Sequence, residues 1–428
     1  MAKTTRGIVR RVLVVGAMAA AVAASMAVSG NADAQTTTAA NNIIVGSGSQ
    51  TAYSLMVSLD SLFNASPGCA LLATSGTQPL NFSCPSGTSG LPAANGENPT
   101  NDVAVEEPPL GGKYGLQQLE DQGSGVSTQT APISYATGPR GPLSTDPPGL
   151  NFVTYALDGV DWFHWTEVKG KATPSAKVTT LTNAQLAAIW TGQDTNWDQV
   201  GGKNAPIDVY VTNSGSGLLS LWDSDLGGIN AQQYVISKGT AYADTHVIEQ
   251  NEDASIIANG DEANAIFFLS VGRYHQTCAT VCGGTKVPGK GASTTALGEI
   301  NGVAPTSANI LSGSFSFLVR LSNIYSNGTN SNIPAATQAT LNFASEDGFL
   351  CKPQVSGGKA IIDPNTGVSY RTEIDNLIKA AGDVPLPLQT HGEGVVDAPA
   401  SLSAPYSAYD SSGTNPEGYC LVTTTDGN

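Results

Sequence analysis

Residues 207–217 read Ile-Asp-Val-Tyr-Val-Thr-Asn-Ser-Gly-Ser-Gly, and Leu218, Leu221 and Trp222 follow. This is a short apolar strand, a Gly/Ser turn and the start of an amphipathic helix. The same device stands near the beginning of the chain. There Ile43-Ile44-Val45 leads into Gly46-Ser47-Gly48-Ser49, then Leu55, Met56, Leu59, Leu62 and Phe63 at helical spacing. Glycine lets a backbone approach a ligand closely, and the first amides of a helix have no internal partner. Such a turn therefore suits an anion or a polar ligand. One Gly/Ser turn alone is more often an ordinary loop. Two of them, in a chain that alternates strand and helix, predict a site built from two lobes.

Working outward, the chain opens on Lys3, Arg6, Arg10 and Arg11, followed by an apolar run from Val12 to Val28 and then Ala32-Asp33-Ala34. That order is a cleavable export signal, with the mature chain expected to begin near Gln35 and to act outside the cytoplasm. The Arg10-Arg11 pair faintly resembles a twin-arginine signal but lacks the residues usual around it. No cysteine follows the apolar run, so a lipid anchor is not indicated.

The formal net charge is −16. Without residues 1–34, 15 Lys and Arg face 34 Asp and Glu, and the charge becomes −19. A surface this acidic argues against nucleic acid or an anionic membrane as partner. Cys69, Cys84, Cys278, Cys282, Cys351 and Cys420 make an even set, which in an exported chain implies disulfides. Nearest-neighbour pairing is expected: Cys69–Cys84, Cys278–Cys282 and Cys351–Cys420. Cys278 and Cys282 could be half a metal site, but His164, His246 and His391 are isolated and only His275 is near, so no metal and no cofactor are expected.

Strand-like runs lie at Ile43–Val45, Ile133–Tyr135, Phe152–Tyr155, Ile207–Val211, Ala265–Ser270 and Ser314–Val319, with helical runs between them, the pattern of an open α/β sheet. The clearest helix starts at Thr182, which with Gln185 makes a capping-box pattern and turns Leu186, Ile189 and Trp190 inward. Residues 64–101 and 322–340 read as surface excursions. The tail from about 383 has little periodicity.

The run Leu181-Thr182-Asn183-Ala184-Gln185-Leu186-Ala187-Ala188-Ile189-Trp190-Thr191-Gly192, then Thr195-Asn196-Trp197, Ile207–Val211 and Ser214-Gly215-Ser216-Gly217 closely resembles the phosphate-binding proteins of bacterial ABC uptake systems. Gly46-Ser47-Gly48 is similar to that family's first pocket loop. Pro109–Leu119, Ser134–Pro142 and Ser314–Leu318 resemble further segments, so that the likeness spans roughly 42–355. The resemblance implies a two-lobed type II periplasmic-binding-protein fold of the α/β class with a ligand cleft between the lobes. One lobe would comprise 42–157 and 314–428, the latter with a C-terminal extension, and the other 158–313. Crossovers are expected near Tyr155–Asp161 and Ile310–Ser314. It also implies a monomeric solute-binding protein, not an enzyme, that takes a phosphate-like oxyanion and serves an ABC permease.

Where the family has an Arg before its Gly-Ser-Gly turn, this chain has Thr212, and Leu218 replaces the Thr after it. Gly138-Pro139-Arg140 fills the place of the family's Asp, and Gly112 the place of a Ser. The ligand set implied for this chain is Ser47, Gly48, Ser49, Gln50, Thr51, Gly112, Lys113, Arg140, Thr212, Ser216 and Gly217. Arg140 is expected to supply the missing cation as a bidentate fork, supported by Lys113. Without the Asp, discrimination between phosphate and sulfate should weaken.

Other readings remain open beside this one. A hydrolase lacks support, because Ser216 has no identifiable His/Asp partners and no G-x-S-x-G, H-E-x-x-H or Walker A sequence occurs. Glu106-Glu107 reads as a loop edge rather than an acid/base pair. The cluster Trp162-Phe163-His164-Trp165 reads as buried structure before it reads as a stacking platform. A secreted surface protein that kept the fold and lost phosphate transport, or a binder of another small polar ligand, are the alternatives.

Overall fold

The computed structural model describes residues 44–66, 103–106, 111–124, 133–251, 253–278, 293–346, 348–351, 362–363, 365–386 and 420–425. The export signal, Cys69, Cys84 and Cys282 lie outside them. The described residues all belong to one compact unit, Ala39–Asn428.

The chain enters through β1 (Ile44–Gly48) and α1 (Gln50–Ala65). Leu55, Met56, Leu59 and Phe63 of α1 are buried, and the Phe63 ring packs against Phe343 with centroids 5.0 Å apart. β2 (Val103–Glu106), α2 (Gly112–Ser124) and β3 (Tyr135–Gly138) follow. β1 pairs in parallel with both β2 and β3, as strand–helix–strand connections require.

β4 (Leu150–Val168) is 19 residues long. Every residue from Phe152 to Trp165 is buried, so the strand carries no polar/apolar alternation, the mark of a strand covered on both faces. Trp162, Phe163, His164 and Trp165 are therefore core. The remaining elements that position the site are α3 (Asn183–Trp190), β5 (Asp208–Val209), α4 (Gly217–Asp225), β6 (Ala265–Ser270) and β7 (Leu318–Ser326). α3 begins at the Thr182/Gln185 capping box and buries Leu186, Ile189 and Trp190.

The main sheet runs β2-β1-β3-β7-β4-β6-β5. β7 pairs antiparallel with Leu150–Gly159 of β4, and β6 pairs antiparallel with Val160–His164. β4 thus passes from one half of the fold to the other at Gly159–Val160 without a break. Two strand expectations need correction. Ile207–Val211 is split, with Val211–Thr212 pairing separately with Val247–Ile248. The strand expected at Ser314–Val319 begins at Leu318 and runs on to Ser326, into a stretch read as surface. Ser322 looks like a loop residue, but it lies between β3 and β4 and its hydroxyl bonds Thr154 Oγ1 at 2.8 Å, which offsets the burial of both.

Cys351 and Cys420 form a disulfide. It fastens the last strand, β8 (Leu421–Thr424), which pairs with Asn151–Thr154 of β4.

Candidate functional site

The two Gly/Ser turns meet through the start of α2. The Gly111 amide donates to Gly48 O at 3.0 Å. On its other side Gly111 lies so close to the second turn that a Cβ there would stand 2.2 Å from Gly215 O, and its φ is +110°. Only glycine fits both demands. Gly112 and Gly217, at the first turns of α2 and α4, both pack on Pro139, where an added Cβ would meet the ring at 2.8 and 2.4 Å. The N-termini of α2 and α4 therefore come together at Pro139, one from each half. Ser49, ahead of α1, donates its amide to Thr137 Oγ1 at 2.8 Å.

A segment absent from the expected set joins these turns. Gln250 Nε2 donates to Thr51 Oγ1 at 2.7 Å, and Ser216 Oγ donates to Gln250 Oε1. Glu249 Oε2 accepts from Gln50 Nε2 and from Asn213 Nδ2, each at 3.0 Å. Asn251, at φ 60°, adds a bond to Thr51 Oγ1 at 3.3 Å. The register explains the placement: Thr212 pairs with Ile248, so the residues after each strand emerge side by side. Nothing in the local sequence marks Glu249-Gln250-Asn251; only that pairing does.

Beside this junction lies a cavity of about 690 Å³ between α2, the segment from Gly138 to Pro147, and α4. Four of the expected residues line it: Gly112, Lys113, Arg140 and Gly217. The Arg140 fork is engaged by Asp146, with nitrogen–oxygen distances of 2.7 and 2.8 Å. Nη1 also donates to Gly141 O at 2.8 Å, and the guanidinium stands over the Phe152 ring. Lys113 is exposed. Glu120, also on the wall, has its pKa pushed up to about 7 by burial and by Asp146 and Asp121, against the pull of Arg140. The hydroxyls of Ser49 and Thr212 are buried without a hydrogen-bond partner among the described residues. The structure thus divides the expected set. Gln50, Thr51 and Ser216 meet through Glu249 and Gln250, and Gly112, Lys113, Arg140 and Gly217 face the cavity.

Residues 153–346, which run from β4 through the second half and back along β7, match the PBP superfamily domain. The match covers 194 of the 428 residues. No curated protein matches the sequence. Among solved structures, an ABC-type phosphate transport receptor from Vibrio cholerae is 18% identical, with 80% of this chain and 100% of that one covered and a TM-score of 0.46. PstS from Borrelia burgdorferi is 16% identical over 81% and 99%, with a TM-score of 0.39.

At the crossing between the halves, the fold buries acids. Asp158 Oδ1 accepts from Gly272 N at 2.8 Å and Gly159 N at 2.7 Å, and Oδ2 from Ser270 Oγ at 2.5 Å. Burial nonetheless pushes its pKa up to about 6. Asp383 packs against Gly272 and is raised well above the usual range by burial and by Asp158. Asp161 is raised by burial as well. His164 bonds Ser175 Oγ at 2.9 Å and burial lowers its pKa to about 4, which makes it a neutral structural residue. Among the described residues no group of His, Cys, Asp and Glu is arranged to hold a metal, and no helix is long and apolar enough to cross a membrane.

Proposed function

We propose that the chain is an extracytoplasmic solute-binding protein that takes an oxyanion-bearing solute between its two halves and delivers it to an ABC permease. The reading is supported above all by the convergence of the N-termini of α2 and α4 on Pro139, with Lys113 beside them at the wall of a cavity. Helix N-termini carry partial positive charge and unpaired amides, so two of them aimed at one place favour an anionic group. Ser216 faces Gln250 rather than a histidine, which fits binding rather than nucleophilic catalysis.

The engagement of Arg140 by Asp146 favours the second reading, a ligand other than inorganic phosphate. A paired guanidinium has little net charge left for an isolated anion. Calorimetry of residues 35–428 against phosphate and sulfate tests the proposal. Binding that weakens when Lys113 becomes Ala supports it. Failure of every oxyanion-bearing solute to bind would leave the surface-protein alternative.

A further inference from the structure

The walls of the cavity carry an ordered sequence of chemistry. After Gly112, the lining residues on α2 are Lys113, Leu116, Gln117, Glu120 and Asp121, which follow the i, i+3, i+4, i+7, i+8 spacing of a single helix face. Read along the axis this face is cation, apolar and amide, then acid, and Lys113 and Glu120 are about 11 Å apart at 1.5 Å per residue. α4 presents Gly217, Ser220, Leu221 and Ser224 to the same cavity with the same spacing. Since Gly112 and Gly217 both abut Pro139, the positive ends of both helices and Lys113 lie at one end. Glu120 and Asp121 lie two turns away. Arg140 and Asp146 neutralise each other on the side.

Volume points the same way. A tetrahedral oxyanion fills the space of two or three waters, under about 100 Å³, whereas the cavity measures about 690 Å³, within the range of sites for organic ligands. The neighbouring hydroxyl of Ser216, a donor that a small oxyanion would use, gives its proton to Gln250 Oε1 instead.

Building on the solute-binding reading, we propose that the cavity takes an organic zwitterion. Its anionic group lies at the Pro139 end, against Lys113 and the first turns of α2 and α4. An apolar spacer runs along Leu116 and Leu221. A protonated amine meets the carboxylates of Glu120 and Asp121.

The test is calorimetry on residues 35–428 with 6-aminohexanoate, hexanoate, hexylamine and inorganic phosphate. 6-Aminohexanoate binds at least about tenfold more tightly than either single-charge analogue, the size of one charge-assisted hydrogen bond. Glu120→Gln abolishes its advantage over hexanoate while hexanoate affinity stays within about twofold, and Lys113→Ala abolishes its advantage over hexylamine. Ser220→Trp, an exposed position on the cavity wall, blocks binding by volume and serves as a control that does not touch either charge. Equal affinity for 6-aminohexanoate and hexanoate overturns the proposal. Phosphate binding that survives Ser220→Trp, with no binding of 6-aminohexanoate, overturns it while leaving the solute-binding reading intact. If none of the four binds, both fall.

Discussion

Gln250 and Thr51 are 199 residues apart in sequence, yet the amide of one donates to the hydroxyl of the other at 2.7 Å. With Ser216 on its other face, Gln250 ties the first Gly/Ser turn to the second through a single buried side chain. Gln250→Ala leaves both hydroxyls without that partner. The expected loss is about 1–3 kcal/mol, measured by urea unfolding. A variant as stable as the wild type would mean that the tie contributes nothing.

Gly111→Ala should be worse tolerated than its size suggests. Its φ of +110° is strained for any residue with a Cβ, at a cost of about 1–3 kcal/mol, and the methyl would run into the Gly215 carbonyl. The two turns must then separate. Thermal unfolding and solute titration should both register the change, and unaltered binding would show that the close approach is dispensable.

Asp158 gives a pH signature of defined sign. Its folded pKa of about 6 lies above the ordinary 3.8, so its ionisation opposes folding. The group carries no penalty below pH 4, and stability falls as pH rises through 6. Asn in its place keeps the acceptor for Gly272 and can donate to Ser270. Asp158→Asn should therefore raise the melting temperature at pH 8 relative to pH 4.5, where the two proteins should be closest. An equal shift at both values would rule out ionisation as the cause.

Glu120 titrates in a neighbouring window, with a folded pKa of about 7 against 4.5. An amine bound beside it favours the ionised form. Affinity for 6-aminohexanoate should therefore climb between pH 5.5 and 8 and release protons at the lower end. Glu120→Gln should flatten that profile.

The Cys351–Cys420 bridge closes a sequence separation of 69 residues. Chain entropy then assigns it about 4 kcal/mol. Replacing both cysteines by Ala should lower the denaturant midpoint accordingly and speed hydrogen exchange in Leu421–Thr424 first. Uniform exchange across the sheet would contradict that order.

The sequence announces what is local. The Thr182/Gln185 cap, the strand at Ala265–Ser270 and the glycine turns follow from neighbouring residues. β4 is read only at Phe152–Tyr155, because a strand covered on both faces loses its period of two, and β7 only at its first residues, because Ser322 and Asn323 look like loop residues until their neighbours are known. Gln250 is silent for a similar reason: both partners are remote. Arg140 was legible as a cation near the cleft, but its engagement with Asp146 depends on how the intervening turn closes. The charged face of α2 stands openly at helical spacing, and acquires meaning only when α4 is set opposite it.

β4 gives the molecule a mechanical character. Its 19 residues span about 60 Å at the usual rise, hydrogen-bonded on its flanks in both halves. Motion of one half against the other must be taken up as torsion within this beam, near Gly159–Val160, and in the return segment that leads into Leu318, instead of as swinging about a slack tether. A beam of this kind resists twist and springs back. Opening and closing should therefore be of small amplitude, with ligand affinity working against a restoring torque built into the main chain.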